Sequence, residues 1–188
     1  MDHTPYSLYV PPKADLNGLV SERSLAEAEY FVFSPAWVLV LCPLTLGLFG
    51  AYWTYRQWQA LERSGRRVNP AGRALFLVFF VHALFRDIAS ARYALGLVAG
   101  RAHGGMATSF IVLEVLASLA RHAGPPFGWI LSIVLTLGSA VPLSMAQDDV
   151  NAVAGNTGKD GNRRIGMGGR LLIALGVVLF LYRMVPWA

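Results

Sequence analysis

Cysteine is almost missing from this chain of 188 residues: Cys42 stands alone, which excludes an intrachain disulfide framework and any multi-cysteine metal cluster. Charge is scarce as well. Only 14% of residues are Asp, Glu, Lys or Arg, against about 25% in an ordinary soluble domain. So few charged side chains cannot coat a water-exposed surface, and the apolar content is too high for a disordered chain. Catalytic signatures are absent too. There is no GxxxxGK[ST] loop, no HExxH, no GxSxG elbow and no CxxC pair. The four histidines, His3, His82, His103 and His122, have no metal-ligand spacing. Cys42 lies beside Pro43 in an apolar run, where a thiol is inert. Nothing assembles a nucleophile, a base and an orienting group, so a non-enzymatic protein without metal or cofactor is expected.

Apolar residues are plentiful. They make up 55% of the chain, with 19 glycines in addition and a mean hydropathy of +0.47, the balance of a polytopic membrane protein. A bilayer core of roughly 30 Å needs about 20 helical residues. Four segments suit that length: 36–53, kinked at Pro43; 74–98; the charge-free 127–145; and the shorter 171–187, where Arg183 can snorkel. A fifth apolar stretch, 107–120, contains Glu114 and is read as re-entrant, interfacial or a further span. The expected fold is therefore an all-α transmembrane helical bundle over 36–188, with about four spans plus one short re-entrant or interfacial helix. A tail over 1–35 precedes it. Ser24 to Glu27 fits a capping box there, predicting a short surface helix that runs into Phe31-Val32-Phe33.

Positive charge orients the bundle. The loop 54–73 holds Arg56, Arg63, Arg66, Arg67 and Arg73, and the loop 146–170 holds Lys159, Arg163, Arg164 and Arg170. Four spans place both loops on one face, which the positive-inside rule makes cytoplasmic, with both termini outside.

Two constellations are candidates for function. The first is a polar intramembrane patch of His82, Arg86, Asp87 and Arg92 with Glu114, where Glu114 is the expected partner of Arg86 or Arg92. Ionisable groups at membrane depth are costly and mark either a proton or ion path or an ion pair that locks helices together. The second is the aromatic and basic run containing Trp53, Tyr55, Arg56 and Trp58, continued by Arg63, Arg66, Arg67 and Arg73. It reads as a membrane-interface, lipid-facing belt that attracts anionic headgroups. No nucleic-acid motif accompanies the net charge of +5. Two smaller patterns remain. Gly96, Gly100 and Gly104 recur every fourth residue, as at a helix-packing face. Gln147 and Asn151 share a helical face that either hydrogen-bonds loop backbone or a partner, or is solvated at a helix end.

Ser34 and the block Leu41–Trp58 carry a resemblance. Thr45, Leu46, Gly47, Gly50, Tyr52, Trp53, Tyr55, Arg56 and Trp58, then Pro70, Arg73-Ala74-Leu75-Phe76, Pro142, Gln147, Val150, Asn151, Asn162 and Gly176, resemble a bacterial family of small, uncharacterised multi-pass inner-membrane proteins. Phe49 stands where that family usually has tyrosine, and Trp37 where a lysine tends to follow the serine. The resemblance implies a helical fold in the bacterial inner membrane and no particular activity. The function expected is binding: a scaffold, assembly or regulatory protein with anionic lipid and a protein partner or second copy as its contacts. The alternative is a small channel or transporter subunit built around the polar patch.

Overall fold

The computed structural model describes residues 25–97, 103–155 and 165–184, and among these the secondary structure is entirely helical. The helices are α1 (Pro35–Leu44), α2 (Leu48–Arg63), α3 (Pro70–Leu75), α4 (Leu77–Ala94), α5 (His103–Ala120), α6 (Phe127–Val153) and α7 (Met167–Met184), with a 3-10 turn at Arg121–Ala123 between α5 and α6. At 1.5 Å per residue α6 is about 40 Å long, and it is the post against which the other elements align.

Residues 36–53, expected as one span, are instead a helical hairpin. Pro43 supplies no amide hydrogen, and α1 stops one residue later. The Thr45 hydroxyl joins the two arms: it donates to Leu41 O at 2.7 Å and accepts the Phe49 amide at 2.9 Å. Leu46 and Gly47 then take positive φ values of 52° and 89°, which reverses the chain. Contacts along α6 show how far the hairpin reaches. Phe33, just before α1, meets Asn151; Gly47 at the tip meets Glu114, which Ser139 holds; Gly50 meets Leu143; and Trp53 meets Gln147. The chain thus descends along α6 from residue 151 to the level of residue 139 and climbs back as α2.

α5 runs antiparallel to α6, with Leu113 beside Gly138 and Ala120 beside Gly128. α7 runs down the hairpin, with Gly169 against Tyr52 and Gly176 against Thr45. A Cβ on Gly176 would lie 2.5 Å from the Thr45 Cβ, so only glycine permits this approach. The end of the bundle where α6 finishes therefore collects residues 30–34, the loop 64–69, the start of α5 and the start of α7. The opposite end carries the 121–126 turn.

Two helical segments, Gly104–Ala123 and Phe127–Val153, are long and apolar enough to cross a membrane, rather than the four expected. The first absorbs 107–120, so that stretch is longer than the sequence suggested because the helix begins earlier, at His103. The expected span 74–98 is divided at Phe76 and carries four ionisable residues in α4. α7 is apolar over Met167–Tyr182. The predicted short helix before Phe33 falls largely outside the described residues. Among the described residues there, Leu25 and Ala26 are helical, and 29–34 is non-helical and packed inside, with Tyr30, Phe31, Val32 and Phe33 all buried. Ser24 of the predicted capping box lies outside the described residues. The glycine stripe does not form either: Gly96 ends α4 at φ 66°, Gly104 belongs to α5 with open space beside it, and Gly100 lies outside the described residues.

Candidate functional site

The buried aromatic core at the α6 C-terminal end creates a problem that polar side chains solve. Extended backbone at 31–33 has no neighbouring strand, and a buried amide or carbonyl without a partner costs about 1–3 kcal/mol. Three side-chain amides supply the partners. Gln57 on α2 accepts from the Phe31 amide at 3.1 Å and donates to Phe31 O at 3.0 Å, imitating a strand pair. Asn151 on α6 does the same for Phe33, donating to its carbonyl at 2.9 Å and accepting its amide at 3.4 Å. Gln147 sits between them. Its Nε2 donates to Phe31 O at 3.2 Å and Asn151 Oδ1 at 2.7 Å, while its Oε1 accepts from Trp53 Nε1. Because an indole nitrogen only donates, Trp53 fixes which way the Gln147 amide points. Of the two expectations for Gln147 and Asn151, hydrogen bonding to chain backbone is the one realised.

The expected polar patch does not assemble. Asp87 is buried and pairs with Arg66 from the loop after α2. Arg92 pairs with buried Asp149 on α6. Glu114 has neither Arg86 nor Arg92 as partner, correcting that expectation; it accepts from the Ser139 hydroxyl at 2.6 Å and lies against Gly47 at the hairpin tip. His82 is exposed with Nε2 3.1 Å from Thr108 Oγ1, and Arg86 is exposed beside it. The sequence spacing of α4 placed these groups on one helix, but successive turns aim them at different neighbours: Asp87 inward towards the 64–69 loop, Arg92 across to α6, Arg86 outward.

The aromatic and basic belt divides as well. Trp53 and Trp58 are wholly buried in the core and face no surface. Tyr55 is half-buried and accepts from Gln59 at 3.2 Å. Arg56 stacks 4.5 Å over the Phe31 ring and donates to the Tyr52 hydroxyl at 2.9 Å, pinning the extended segment from outside. Arg73 stacks 4.2 Å over Trp58 and 5.1 Å over Phe80. Partial burial first, and then the charge of Arg66, lower the Arg73 pKa from its ordinary value. Arg63 and Arg67 are exposed. The belt is thus half core and half cationic rim. Tyr30 completes the cluster from inside: its buried hydroxyl makes no hydrogen bond among the described residues, and burial, then the Asp87 carboxylate, push its pKa up.

Among the described residues no group of three or more histidine, cysteine, aspartate or glutamate side chains could hold a metal. The site that sequence reasoning placed in the α4 patch is therefore an amide-built clasp on the chain's own extended segment. Gln57 was the member missed, and the only signal for it was a glutamine between two tryptophans, Trp53 and Trp58. Comparison with known proteins finds no matching family model, no matching curated protein and no matching solved structure.

Proposed function

We propose that this protein is a multi-pass integral membrane protein of the bacterial inner membrane that works by binding, as a scaffold or regulatory component, rather than by catalysis or conduction. The membrane reading is supported by an inverted distribution of polarity along α6. Ser132, Thr136 and Ser139 are buried, while Ile130, Leu131, Val134 and Leu137 are exposed, an arrangement that suits lipid and not water. In this reading α5, α6 and α7 cross, and α1–α2 is a re-entrant hairpin whose tip stops at mid-depth. Irregular backbone at that depth is tolerated because it is enclosed by protein. The end rich in arginine, with Arg56, Arg63, Arg66, Arg67, Arg73, Arg86, Arg92 and Arg170 against Arg121 and Arg183 at the other, is cytoplasmic.

The observation that favours binding over transport is the separate closure of the charged groups. Among the described residues, Asp87, Arg92 and Glu114 each meet a different partner, Arg66, Asp149 and Ser139. A conducting path needs them side by side. The test is ion flux into liposomes carrying the purified protein, with Asp87→Asn and Glu114→Gln alongside. Flux equal to that of empty liposomes is expected for all three. Flux that the wild type supports and either substitution abolishes would establish the channel reading and remove this one.

A further inference from the structure

Between α4 and α5 lies an open pocket of about 530 Å³, lined by Phe79, His82, Ala83, Arg86 and Gly104 among others. Phe79, His82, Ala83 and Arg86 follow the three- and four-residue spacing of one helix face. Two features set Arg86 apart from the paired arginines Arg66 and Arg92. It is exposed, and it makes no ion pair or hydrogen bond among the described residues. The acid next to it in sequence, Asp87, is engaged by Arg66. His82 is oriented by its neighbour. The Thr108 hydroxyl has one proton, and it donates that proton to Gly104 O at 3.0 Å. The 3.1 Å contact between His82 and Thr108 is therefore a donation from Nε2–H.

The pocket's depth indicates what it takes. Its rim includes Gly104, where the apolar segment Gly104–Ala123 begins, so in the membrane reading it lies at headgroup level. On its wall stand Phe79, 76% exposed, and the apolar Ala83 and Ala89. A cation beside a pocket with apolar side chains on its rim fits a group that is anionic at one end and aliphatic at the other.

Resting on the membrane reading, we propose that this pocket holds the headgroup phosphate of an anionic phospholipid, with the Arg86 guanidinium as its ion partner and Phe79 against the acyl chains. Arginine suits the task because its planar fork meets two phosphate oxygens at once.

Native mass spectrometry of the protein released from nanodiscs of phosphatidylcholine with phosphatidylglycerol tests this. The wild type is expected to retain phosphatidylglycerol in preference to phosphatidylcholine. Arg86→Gln is expected to lower that preference about tenfold, the loss of a charge-assisted contact worth about 1.5 kcal/mol. Arg63→Gln, in the cationic rim but outside the pocket, and Phe79→Ala should each weaken that preference less than Arg86→Gln. Equal retention by wild type and Arg86→Gln would overturn the proposal. So would displacement of the lipid by millimolar inorganic phosphate, which would make free phosphate the occupant. Wild-type protein that fails to enter nanodiscs and stays monodisperse in buffer would instead refute the membrane reading on which the site rests.

Discussion

Replacing Gln147 by leucine tests the clasp at its centre. Leucine nearly matches the volume but can neither donate nor accept. Trp53 Nε1–H, wholly buried, then loses its acceptor, and Asn151 Oδ1 keeps only the longer 3.4 Å contact from the Phe33 amide. Phe31 O is spared because Gln57 still donates to it at 3.0 Å. One fully orphaned donor and one weakened acceptor, at about 1–3 kcal/mol for each buried unsatisfied group, give a loss of roughly 2–4 kcal/mol. For a chain of this size a kilocalorie shifts Tm by about 2–4 °C, so Tm in detergent should fall by roughly 4–16 °C. A cycle with Trp53→Phe isolates the cause. Phenylalanine removes the donor that Gln147→Leu orphans, so the double variant should be less destabilised than the sum of the two singles by about 1 kcal/mol or more. Additive losses within a few tenths of a kilocalorie, or an unchanged Tm for Gln147→Leu, would refute the argument that this amide is retained for its hydrogen bonds.

Gly47→Ala places a Cβ 3.2 Å from the Glu114 carboxylate at a φ of 89°; strain of about 1–3 kcal/mol is expected, read as a lower Tm and earlier cleavage by protease. Asp149→Leu removes the buried partner of Arg92 and should cost about 3–5 kcal/mol, whereas Glu62→Gln, at an exposed site of α2, should leave Tm within a degree or two. In a Cys42→Ser background, Ser64→Cys and Ala154→Cys should react with a membrane-impermeant maleimide from the same side of sealed vesicles and Ala123→Cys from the other; labelling of Ser64→Cys and Ala154→Cys from opposite sides would reject the re-entrant hairpin. In the native protein, buried Cys42 should resist the same reagent until detergent denatures the fold.

The helical class and the apolar character of 107–120 and 127–145 could be read directly from the residues, because composition and run length measure the solvent a helix suits. The path of 36–53 could not. A hydropathy window counts apolar residues and ignores direction, and a hairpin of two half-depth arms presents nearly the same sum as one kinked span. Pro43 was visible, but a proline alone only bends a membrane helix. What turns the chain is Thr45 capping both arms with one hydroxyl, followed by Leu46 and Gly47 at positive φ. The spacing Pro43, Thr45, Gly47 contains all of that chemistry. Only the close fit of Gly176 against Thr45 shows that a third helix holds the turn shut.

The site was legible in half. Sequence spacing showed that Gln147 and Asn151 share a face, and named backbone as one thing they could bind. It also marked His82, Arg86, Asp87 and Arg92, since ionisable groups in an apolar run always attract notice. Charge, however, is the poorer guide here. An ion pair such as Arg66–Asp87 or Arg92–Asp149 can form wherever two long side chains meet, and says little about which backbone lies beside it. An amide must find a donor and an acceptor at fixed geometry, so Gln57, Gln147 and Asn151 together admit one arrangement of the 31–33 backbone. That specificity is why residues 31–33 are threaded between α2 and α6. It follows that exchanging Gln57 for glutamate, which keeps the acceptor for the Phe31 amide but deletes the donor to its carbonyl and buries a charge, should release 29–34 to protease while α5 and α6 stay protected. Protection of all three segments in that variant would show that aromatic packing of Phe31 and Phe33 holds the segment without the amides.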